Sequence, residues 1–320
     1  MTEKGGTPTR PRIAVVTARA ARGLDEDEGL LVAALEEGGA QAQVVDWDAA
    51  DADWGAFDLA LLRSTWDYTQ RLTEFAAWVK RAAALTRLEN PAALVRWNSD
   101  KRYLAQLARA LPAHSVIPDC LFEPGDDIAP AVGGFLARED CREVVVKPAV
   151  GAGSRDVERH RREAQGAITA HIQRLNAQGR NALLQPYLPQ VEREGETALV
   201  FFDGAFSHSV RKGPMLGREG IAAAGHTALF APEEITPREP AADELALAEQ
   251  VLGALQALPL TDKGTSPLFP LLYARVDLIR DEQGRPRLLE LELCEPSLFL
   301  MHSPGSAARL AAGVMRRASG

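Results

Sequence analysis

Short apolar runs separated by polar turns dominate the first hundred residues of the sequence. Three of these runs predict β-strands, at residues 13–17 (IAVVT), 43–47 (QVVDW) and 58–64 (DLALLRS). Between the first two, apolar positions recur at helical spacing over residues 26–37, and Gly38 and Gly39 follow as a stop signal. Apolar strands joined through a helix predict a parallel sheet covered on both faces. A last strand, TRLEN at 86–90, stands before Pro91 and predicts that this module closes there.

The hydrophobic pattern changes character in the remainder of the chain. Helical spacing over residues 99–111, with Ser99 or Asp100 as a candidate cap, is followed by a second predicted helix over 163–178. Strand-like segments surround that second helix, at 115–122, 142–148 and 154–160. Two longer segments, at 197–212 and 271–293, are interrupted by turn residues and predict antiparallel hairpins. The glycine- and alanine-rich stretch at 213–225 predicts a mobile loop.

These patterns predict an α/β fold followed by α+β structure. We expect an N-terminal parallel-sheet domain over residues 1–98 and two α+β subdomains over residues 99–184 and 185–320. With 320 residues, 46% of them hydrophobic, the chain can bury a sizeable core.

The net charge indicates which partners to expect, and the cysteine content indicates the cellular compartment. The formal net charge of −8 argues against a nucleic-acid or membrane-surface partner, because both attract basic proteins. Three cysteines without CxxC spacing predict free thiols in a reducing cytoplasm. The polar start of the chain does not resemble a signal peptide, and no stretch is apolar enough to span a membrane. Self-association into a homo-oligomer stays open.

Three acidic residues near the end of the second hairpin form a candidate cation site. Glu290 and Glu292 are two positions apart in one strand and therefore share a face, and Asp277 can lie beside them on the facing strand. Carboxylate oxygens that share a cation with phosphate oxygens suit Mg²⁺. The alternative is an ordinary acidic strand face exposed to solvent.

A lysine at the end of an apolar strand adds a candidate phosphate site. Lys147 closes the run VVVKP and is followed by the small-residue loop AVGAGS, whose backbone amides could cradle phosphates. Lys101 supplies another cation at the start of the preceding helix. The alternatives are a plain hairpin turn at Gly151 and Gly153, and a surface lysine at position 101.

Taken in order, these motifs resemble the ATP-grasp family, which includes glutathione synthetase, D-alanine–D-alanine ligase and the ribosomal-protein S6 glutamate ligase. The resemblance covers about residues 100–296 and implies two subdomains that clamp ATP. It implies phosphate contacts from Lys101 and Lys147, a γ-phosphate loop at Gly151, Gly153 and Ser154, an adenine pocket at Gln185, Tyr187 and Leu188, ribose contacts from Glu196, and magnesium ligands Asp277, Glu290 and Glu292.

Two departures from the family pattern affect individual contacts. Many members carry Glu-x-Asn where this sequence has Glu292, and an extra carboxylate should still hold Mg²⁺. Gln185 is followed by Pro186 where some relatives have Gln-Glu, which puts the contact to the adenine amino group in question.

Three basic residues of this sequence resemble the ones that, in the family, neutralise the phosphoryl group during its transfer. These are Arg211, Lys212 and Arg275, and the chemistry requires such cations because phosphorylating a carboxylate brings anions together. The alternative for Arg275 is a pairing with Glu290 or Glu292.

The segment RSTWDY, directly after the strand at 58–64, is the candidate substrate site. Ligands bind at the carboxyl ends of parallel strands, so we expect Arg63 to hold a carboxylate and Asp67 an amine, with Ser64 and Thr65 beside them. The alternative is a helix start that is merely capped and packed. His226 and His302 are further candidates for substrate loops, or structural residues.

This segment and the EPSLFL motif at 295–300 resemble the ATP-grasp branch that contains the O-ureido-serine cyclo-ligase. The resemblance implies an ADP-forming ligase of amino-acid metabolism that phosphorylates a carboxyl or carbamoyl oxygen of a small amino-acid-like substrate and joins it to an amine. ATP and Mg²⁺ would be its cofactors, with two ions bound and Mn²⁺ as an alternative. The competing interpretation is a non-catalytic, ATP-binding regulatory protein of the same fold.

Overall fold

The computed structural model describes residues 10–138, 141–216, 234–258, 260 and 269–319. Within these residues, three β-sheets with helices packed on them confirm the predicted α/β and α+β fold. Part of the loop predicted at 213–225, from residue 217 onward, lies outside the described residues, as does His226. Among the described helices, none combines the length and apolar character that a membrane crossing requires.

The first sheet is parallel and has the strand order β2-β1-β3-β4. Its strands are β1 (Arg12–Thr17), β2 (Gln41–Asp46), β3 (Leu59–Ser64) and β4 (Arg87–Glu89), and its helices are α1 (Glu28–Glu37) and α2 (Leu72–Leu85). Leu31 of α1 packs on one face of the sheet, and Phe75 and Trp78 of α2 pack on the other. Because both faces are covered, the central strands β1 and β3 are largely apolar and buried, as the sequence pattern predicted, whereas the edge strands β2 and β4 also carry polar residues.

Two helices, α3 (Ala92–Asn98) and α4 (Tyr103–Ala110), follow the first sheet. The single helix predicted over 99–111 is wrong at its start, because α4 begins only at Tyr103. Asp100 instead bonds to the backbone nitrogen of Arg102 at 3.0 Å, in the turn before the helix. The Asn98 side chain and the Tyr103 hydroxyl both bond to the backbone of residues 291–293, so this connection is fixed to the third sheet.

The second sheet is antiparallel with the order β5-β8-β6-β7. It contains β5 (Cys120–Phe122), β6 (Glu143–Pro148), β7 (Glu158–Arg161) and β8 (Ala182–Pro186), and α5 (Ile128–Leu136) and α6 (Gln165–Ala177) cover it. The predicted domain boundary at 184/185 falls inside β8 rather than between two sheets.

The third sheet contains the two predicted hairpins, side by side in the order β11-β10-β9-β12-β13. Its strands are β9 (Glu196–Phe202), β10 (Ala205–Lys212), β11 (Ile235–Pro237), β12 (Tyr273–Arg280) and β13 (Pro286–Glu292), and the helices near it are α7 (Val191–Glu194), α8 (Ala242–Leu255) and α9 (Ser306–Ala318). α8 packs on one face, and α9 packs on the other together with α1. α9 therefore joins the third sheet to the first.

Candidate active site

A cleft of about 380 Å³ is lined by residues from all three sheets and their loops. Most of the predicted site residues meet there: Lys101, Lys147, Gly151, Gly153, Ser154, Gln185, Tyr187, Leu188, Glu196, Lys212, Arg275, Asp277, Glu290 and Glu292. These residues are spread over nearly two hundred positions of the chain, and the fold brings them to one place.

Strand pairing explains how the three carboxylates meet. In the β12–β13 hairpin, Asp277 lies opposite Glu290 and Arg275 lies opposite Glu292. Side chains two positions apart share a face of the sheet, so all four of these side chains point into the cleft.

Each carboxylate of this cluster already has a cationic partner. Arg275 donates to Asp277 at 2.8 Å, and Lys212 donates to it at 3.2 Å. Arg275 also binds Glu292, and the Lys101 ammonium lies 2.7 Å from Glu290. The three acids and their basic partners therefore form a network in which negative and positive side chains are paired.

Burial raises the pKa of each of these acids and neighbouring cations lower it, and the balance between the two effects differs from one acid to the next. Burial alone would raise the pKa of Asp277, but Arg275 and Lys212 hold it below its ordinary value. Glu290 likewise has a lowered pKa, because Lys101 and Lys147 outweigh its burial. Burial raises the pKa of Glu292 to about 8, and its acidic neighbours add to that rise against the opposing effect of Arg275.

Among the described residues, Lys147 is a cation of the cleft that has no carboxylate in close contact. Its side chain is buried, and the described residues place no carboxylate within 4.0 Å of its ammonium. Burial lowers the pKa of Lys147, since water is removed without a close counter-ion in exchange. Lys101 differs from Lys147 because its ammonium has two close partners. It lies 2.7 Å from the carboxylate of Glu290 and donates to the carbonyl of Gly151 at 2.8 Å. An anionic group bound beside Lys147 would supply the missing charge.

The small-residue loop between β6 and β7 has a tightly curved backbone. Gly153, Ser154 and Asp156 all have positive φ angles, of 63°, 58° and 56°. A Cβ atom at Gly151 would approach Cγ of Pro148 to 2.9 Å, so only glycine fits there without a shift. This curvature keeps the loop against the cleft, where its backbone can approach phosphates.

The far end of the cleft is apolar with one unsatisfied donor. Ile117, Tyr187 and Ile279 belong to one buried cluster on this wall. The side-chain nitrogen of Gln185 is buried and has no hydrogen-bond partner among the described residues. A flat heterocycle with an acceptor at its edge fits such a wall. Together with Lys147 and the carboxylates, the residues present fit Mg²⁺-bound ATP.

Comparison with known proteins agrees with this geometry. Residues 13–90 match the family model described as the N-terminal domain of D-cycloserine synthetase DcsG. Over 308 residues, the chain is 40% identical to the cycloserine biosynthesis protein DcsG of Streptomyces lavendulae, covering 95% of this chain and 98% of that protein. The chain belongs to the DcsG family of ATP-grasp ligases.

Solved structures support the same assignment. The crystal structure of D-cycloserine synthetase DcsG superposes with a TM-score of 0.87 at 39% identity, covering 96% of this chain and 99% of that one. A D-alanine–D-alanine ligase from Bacillus anthracis, complexed with ATP, shares the fold with a TM-score of 0.66 and 13% identity, over 97% of each chain. The protein is thus an ATP-dependent, ADP-forming ligase, as predicted, and no finding favours the regulatory alternative.

Within this DcsG-family cleft, the predicted substrate residues are not where the sequence placed them. Arg63, Ser64, Thr65 and Asp67 do not line the cleft. Asp67 accepts hydrogen bonds from the side chains of Trp47, at 2.8 Å, and Arg71, at 3.4 Å. Ser64 shares a 2.7 Å hydrogen bond with Thr17, and Thr65 is fully buried. The interpretation of these residues as substrate ligands is therefore withdrawn.

Arg63 braces the loop after β13. Its guanidinium donates to the carbonyl of Pro296 at 2.5 Å and lies 4.0 Å from the carboxylate of Asp27. Asp27 in turn accepts from the backbone nitrogens of Leu298 and Leu300, each at 2.6 Å. The first sheet thus holds the EPSLFL loop in place through a buried cation and a buried anion.

We expect Arg63→Leu to lower the free energy of unfolding by about 2 kcal/mol, since it leaves the buried Pro296 carbonyl without its donor and removes the cation that lies 4.0 Å from Asp27. ATP affinity of the folded variant should stay near that of the wild type. Chemical denaturation followed by nucleotide titration measures both quantities. A variant of unchanged stability with a raised KM for the acceptor would restore the substrate role of Arg63.

The neighbours of the withdrawn residues, Trp66 and Tyr68, do line the cleft. The Trp66 indole donates to the backbone carbonyl of Glu295 at 3.0 Å, and the Tyr68 hydroxyl interacts with the Glu295 carboxylate. Burial raises the pKa of Glu295 to about 7. Asp25, which also lines the cleft, has a pKa raised by burial.

Asp25, Tyr68 and Glu295 were not predicted as site residues, because the sequence does not show that their side chains point into the cleft. Asp25 belongs to the run DEDE, which looks like a solvated acidic turn. Glu295 was part of a recognised motif, but nothing in the spacing showed that it would be buried. His302 lines the cleft, and its role as a substrate-loop residue stays a prediction.

Arg211 is also outside the cleft. Residues 211 and 212 are adjacent in β10 and therefore point to opposite faces. Lys212 enters the carboxylate cluster, whereas Arg211 donates to the backbone carbonyl of Glu194 at 3.0 Å. Of the predicted basic pair, only Lys212 is placed to meet a phosphate.

Proposed function

We propose that this protein closes the ring of cycloserine from an O-ureido-serine, in an ATP-dependent reaction within one substrate molecule. The observation that carries the proposal is an acidic pocket next to the ATP-grasp carboxylate cluster. Asp25, Tyr68 and Glu295 line it, and its acids suit the ammonium group of an amino acid. The full-length similarity to a cycloserine biosynthesis protein supports the same substrate class.

The proposed roles in nucleotide binding follow the positions of the side chains. We assign the adenine contacts to Gln185, Tyr187 and Leu188, the ribose to Glu196, the phosphates to Lys101, Lys147 and the loop of Gly151, Gly153 and Ser154, and Mg²⁺ to Asp277, Glu290 and Glu292. Three carboxylates can hold two ions, and Mn²⁺ would be accepted as well because it prefers the same oxygen ligands. We place the reaction in cytoplasmic amino-acid metabolism.

Phosphoryl transfer from ATP to the substrate carboxyl oxygen would make phosphate the leaving group when the ureido nitrogen that is bonded to oxygen attacks the carboxyl carbon. Water would then hydrolyse the carbamoyl group from that nitrogen, releasing it as carbon dioxide and ammonia, so that ring closure yields cycloserine, ADP and phosphate. Arg275 is positioned to hold the carboxyl oxygen, because it lies between the carboxylate cluster and the EPSLFL loop. It donates to Asp277 on one side and to the carbonyl of Ser297, at 3.0 Å, on the other. Arg275, Lys212 and Lys147 together would neutralise the charge that develops.

Glu295 is our candidate for the base that takes the proton from the attacking nitrogen. Its pKa of about 7 lies close to the operating pH of a cytoplasmic enzyme, which suits a general base. The same rise means that the folded protein binds this proton more tightly than the unfolded chain does. Stability linked to Glu295 is therefore present at low pH and is lost as the pH rises toward 7 and above.

Two consequences of Glu295→Gln are expected. The rise of kcat/KM with pH through about 7 should disappear together with most of the activity. The variant should also unfold at a higher temperature than the wild type at pH 8, with a smaller difference at pH 5, because it carries no buried carboxylate to ionise. Glu36→Gln, on the exposed side of α1, is the matched control. A variant less stable than the wild type at pH 8 would contradict this account.

The proposal as a whole is tested by substrate-dependent ADP release. We expect O-ureido-D-serine to raise ADP formation well above the rate with ATP alone, whereas pairs of D-alanine or glutamate should not. ADP formation that requires two separate amino acids would favour intermolecular ligation instead.

A further inference from the structure

A second cluster of ligand-type side chains lies in the second sheet, outside the described cleft. Glu158 and His160 are alternate residues of β7 and share a face, and His171 of α6 packs against that face. His171 is buried, and the other two side chains are largely covered. None of the three lines the ATP cleft.

Three donor atoms of this cluster face a common point. Nε2 of His160 lies 3.2 Å from Nδ1 of His171, and Oε2 of Glu158 lies 3.7 Å from each of those nitrogens. The separation of 3.7 Å is too long for a hydrogen bond, so the carboxylate is not held there by the imidazoles. A point equidistant from atoms at these separations lies about 2.1 Å from each, which is the bond length of Zn²⁺ to imidazole nitrogen and carboxylate oxygen.

Apart from the hydrogen bond between the two imidazoles, which a bound metal ion would replace, the neighbouring side chains described below do not occupy these donor atoms. Arg174 binds the other carboxylate oxygen of Glu158, Oε1, at 2.5 Å and orients the group without using Oε2. Arg159, between the two β7 ligands, points to the opposite face and pairs with Glu143 and Glu192. Burial also lowers the pKa of both imidazoles, which keeps them neutral near pH 7.

We propose that Glu158, His160 and His171 bind one Zn²⁺ ion, with a fourth position left to water. Two imidazoles and one carboxylate suit zinc and related first-row transition ions, whereas Mg²⁺ prefers an all-oxygen shell. The site is therefore chemically distinct from the carboxylate cluster of the cleft and does not depend on the proposed reaction.

Zinc bound at this site would affect the loop that precedes β7. Glu158 directly follows Val157, and the loop that ends there lines the ATP cleft. A metal bond between β7 and α6 would fix the base of that loop to the helix behind it. Zinc would then stabilise the second sheet without contacting nucleotide.

Zinc binding to the full-length protein tests the proposal, measured by calorimetric titration with Mg²⁺ in excess to occupy oxygen-rich sites. We expect one more equivalent of Zn²⁺ bound by the wild type than by His160→Asn. Replacing Zn²⁺ by Co²⁺ should give the strong visible absorption of a low-coordinate nitrogen-containing site, and this absorption should be absent in His160→Asn.

Two further variants guard against misfolding and unspecific binding. His114→Asn is the matched control, because His114 is exposed and has a positive φ of 69° that asparagine tolerates, and it should bind zinc like the wild type. Glu158→Gln keeps the shape of the site and should also lose the ion. Equal zinc binding by the wild type, His160→Asn and Glu158→Gln, or no binding at all, would show that the cluster is a metal-free histidine pair.

Discussion

Replacement of Asp277 by asparagine is expected to reduce turnover by about a thousand-fold, since it removes a proposed magnesium ligand and unbalances the charge of the cleft. It should also lower the free energy of unfolding by about 3 kcal/mol. The second effect follows from the contacts of Asp277, which is the shared partner of Arg275 and Lys212. Without its charge, two buried cations face each other across a neutral amide.

Glu292→Gln provides the matched comparison within the same cluster. Burial raises the pKa of Glu292 to about 8, whereas Arg275 and Lys212 lower the pKa of Asp277, so the nucleotide-free protein depends less on the charge of Glu292 than on that of Asp277. Turnover should fall as it does in Asp277→Asn, while the melting temperature without nucleotide changes little. Steady-state kinetics and thermal unfolding, each with Mg²⁺ and with chelator, measure the two effects. If both variants keep Mg²⁺-dependent stabilisation by ATP, the cluster is not the metal site.

Lys147→Met is expected to weaken turnover or ATP binding by about 3 kcal/mol, roughly a hundred-fold, because one preorganised cation is lost from the phosphates. Methionine keeps most of the buried stem of the lysine. The ammonium has no close counter-ion among the described residues, so its removal should leave the nucleotide-free protein as stable as the wild type, or more stable.

Lys80→Met, on an exposed position of α2, is the control for loss of a positive charge. Thermal unfolding with and without Mg-ATP separates binding from stability. A Lys147→Met variant that unfolds at a much lower temperature without nucleotide, yet is stabilised normally by ATP, would assign a structural role to Lys147.

The sequence predicted best where strand periodicity and motif order act together. Glu290 and Glu292 share a face because they are two apart, and the hairpin turn brings Asp277 opposite them, so the cluster follows from local rules. Lys147 and the following glycines were recognised by their place at the end of an apolar strand. The burial of Lys147 was not, because the packing that covers it comes from distant elements.

The substrate side could not be predicted in the same way. Residues 63–68 pass from the end of β3 into a short 3₁₀ helix that begins at Trp66, so neither the period of two nor that of 3.6 tells which side chain faces the cleft. Arg63 looked like a ligand for an anion, but its partner is the carbonyl of Pro296, 233 residues further along the chain. Trp66 and Tyr68 face the cleft because they contact Glu295, and that contact depends on the tertiary fold alone.

Product analysis by mass spectrometry, with ADP measured in the same sample, tests the central claim most directly. With O-ureido-D-serine, Mg²⁺ and ATP, the account predicts cycloserine and ADP in equal amounts, and almost no ADP when the ureido-serine is left out. ADP released at the same rate without substrate, or released while the ureido-serine stays intact, would contradict ATP-dependent ring closure by this protein.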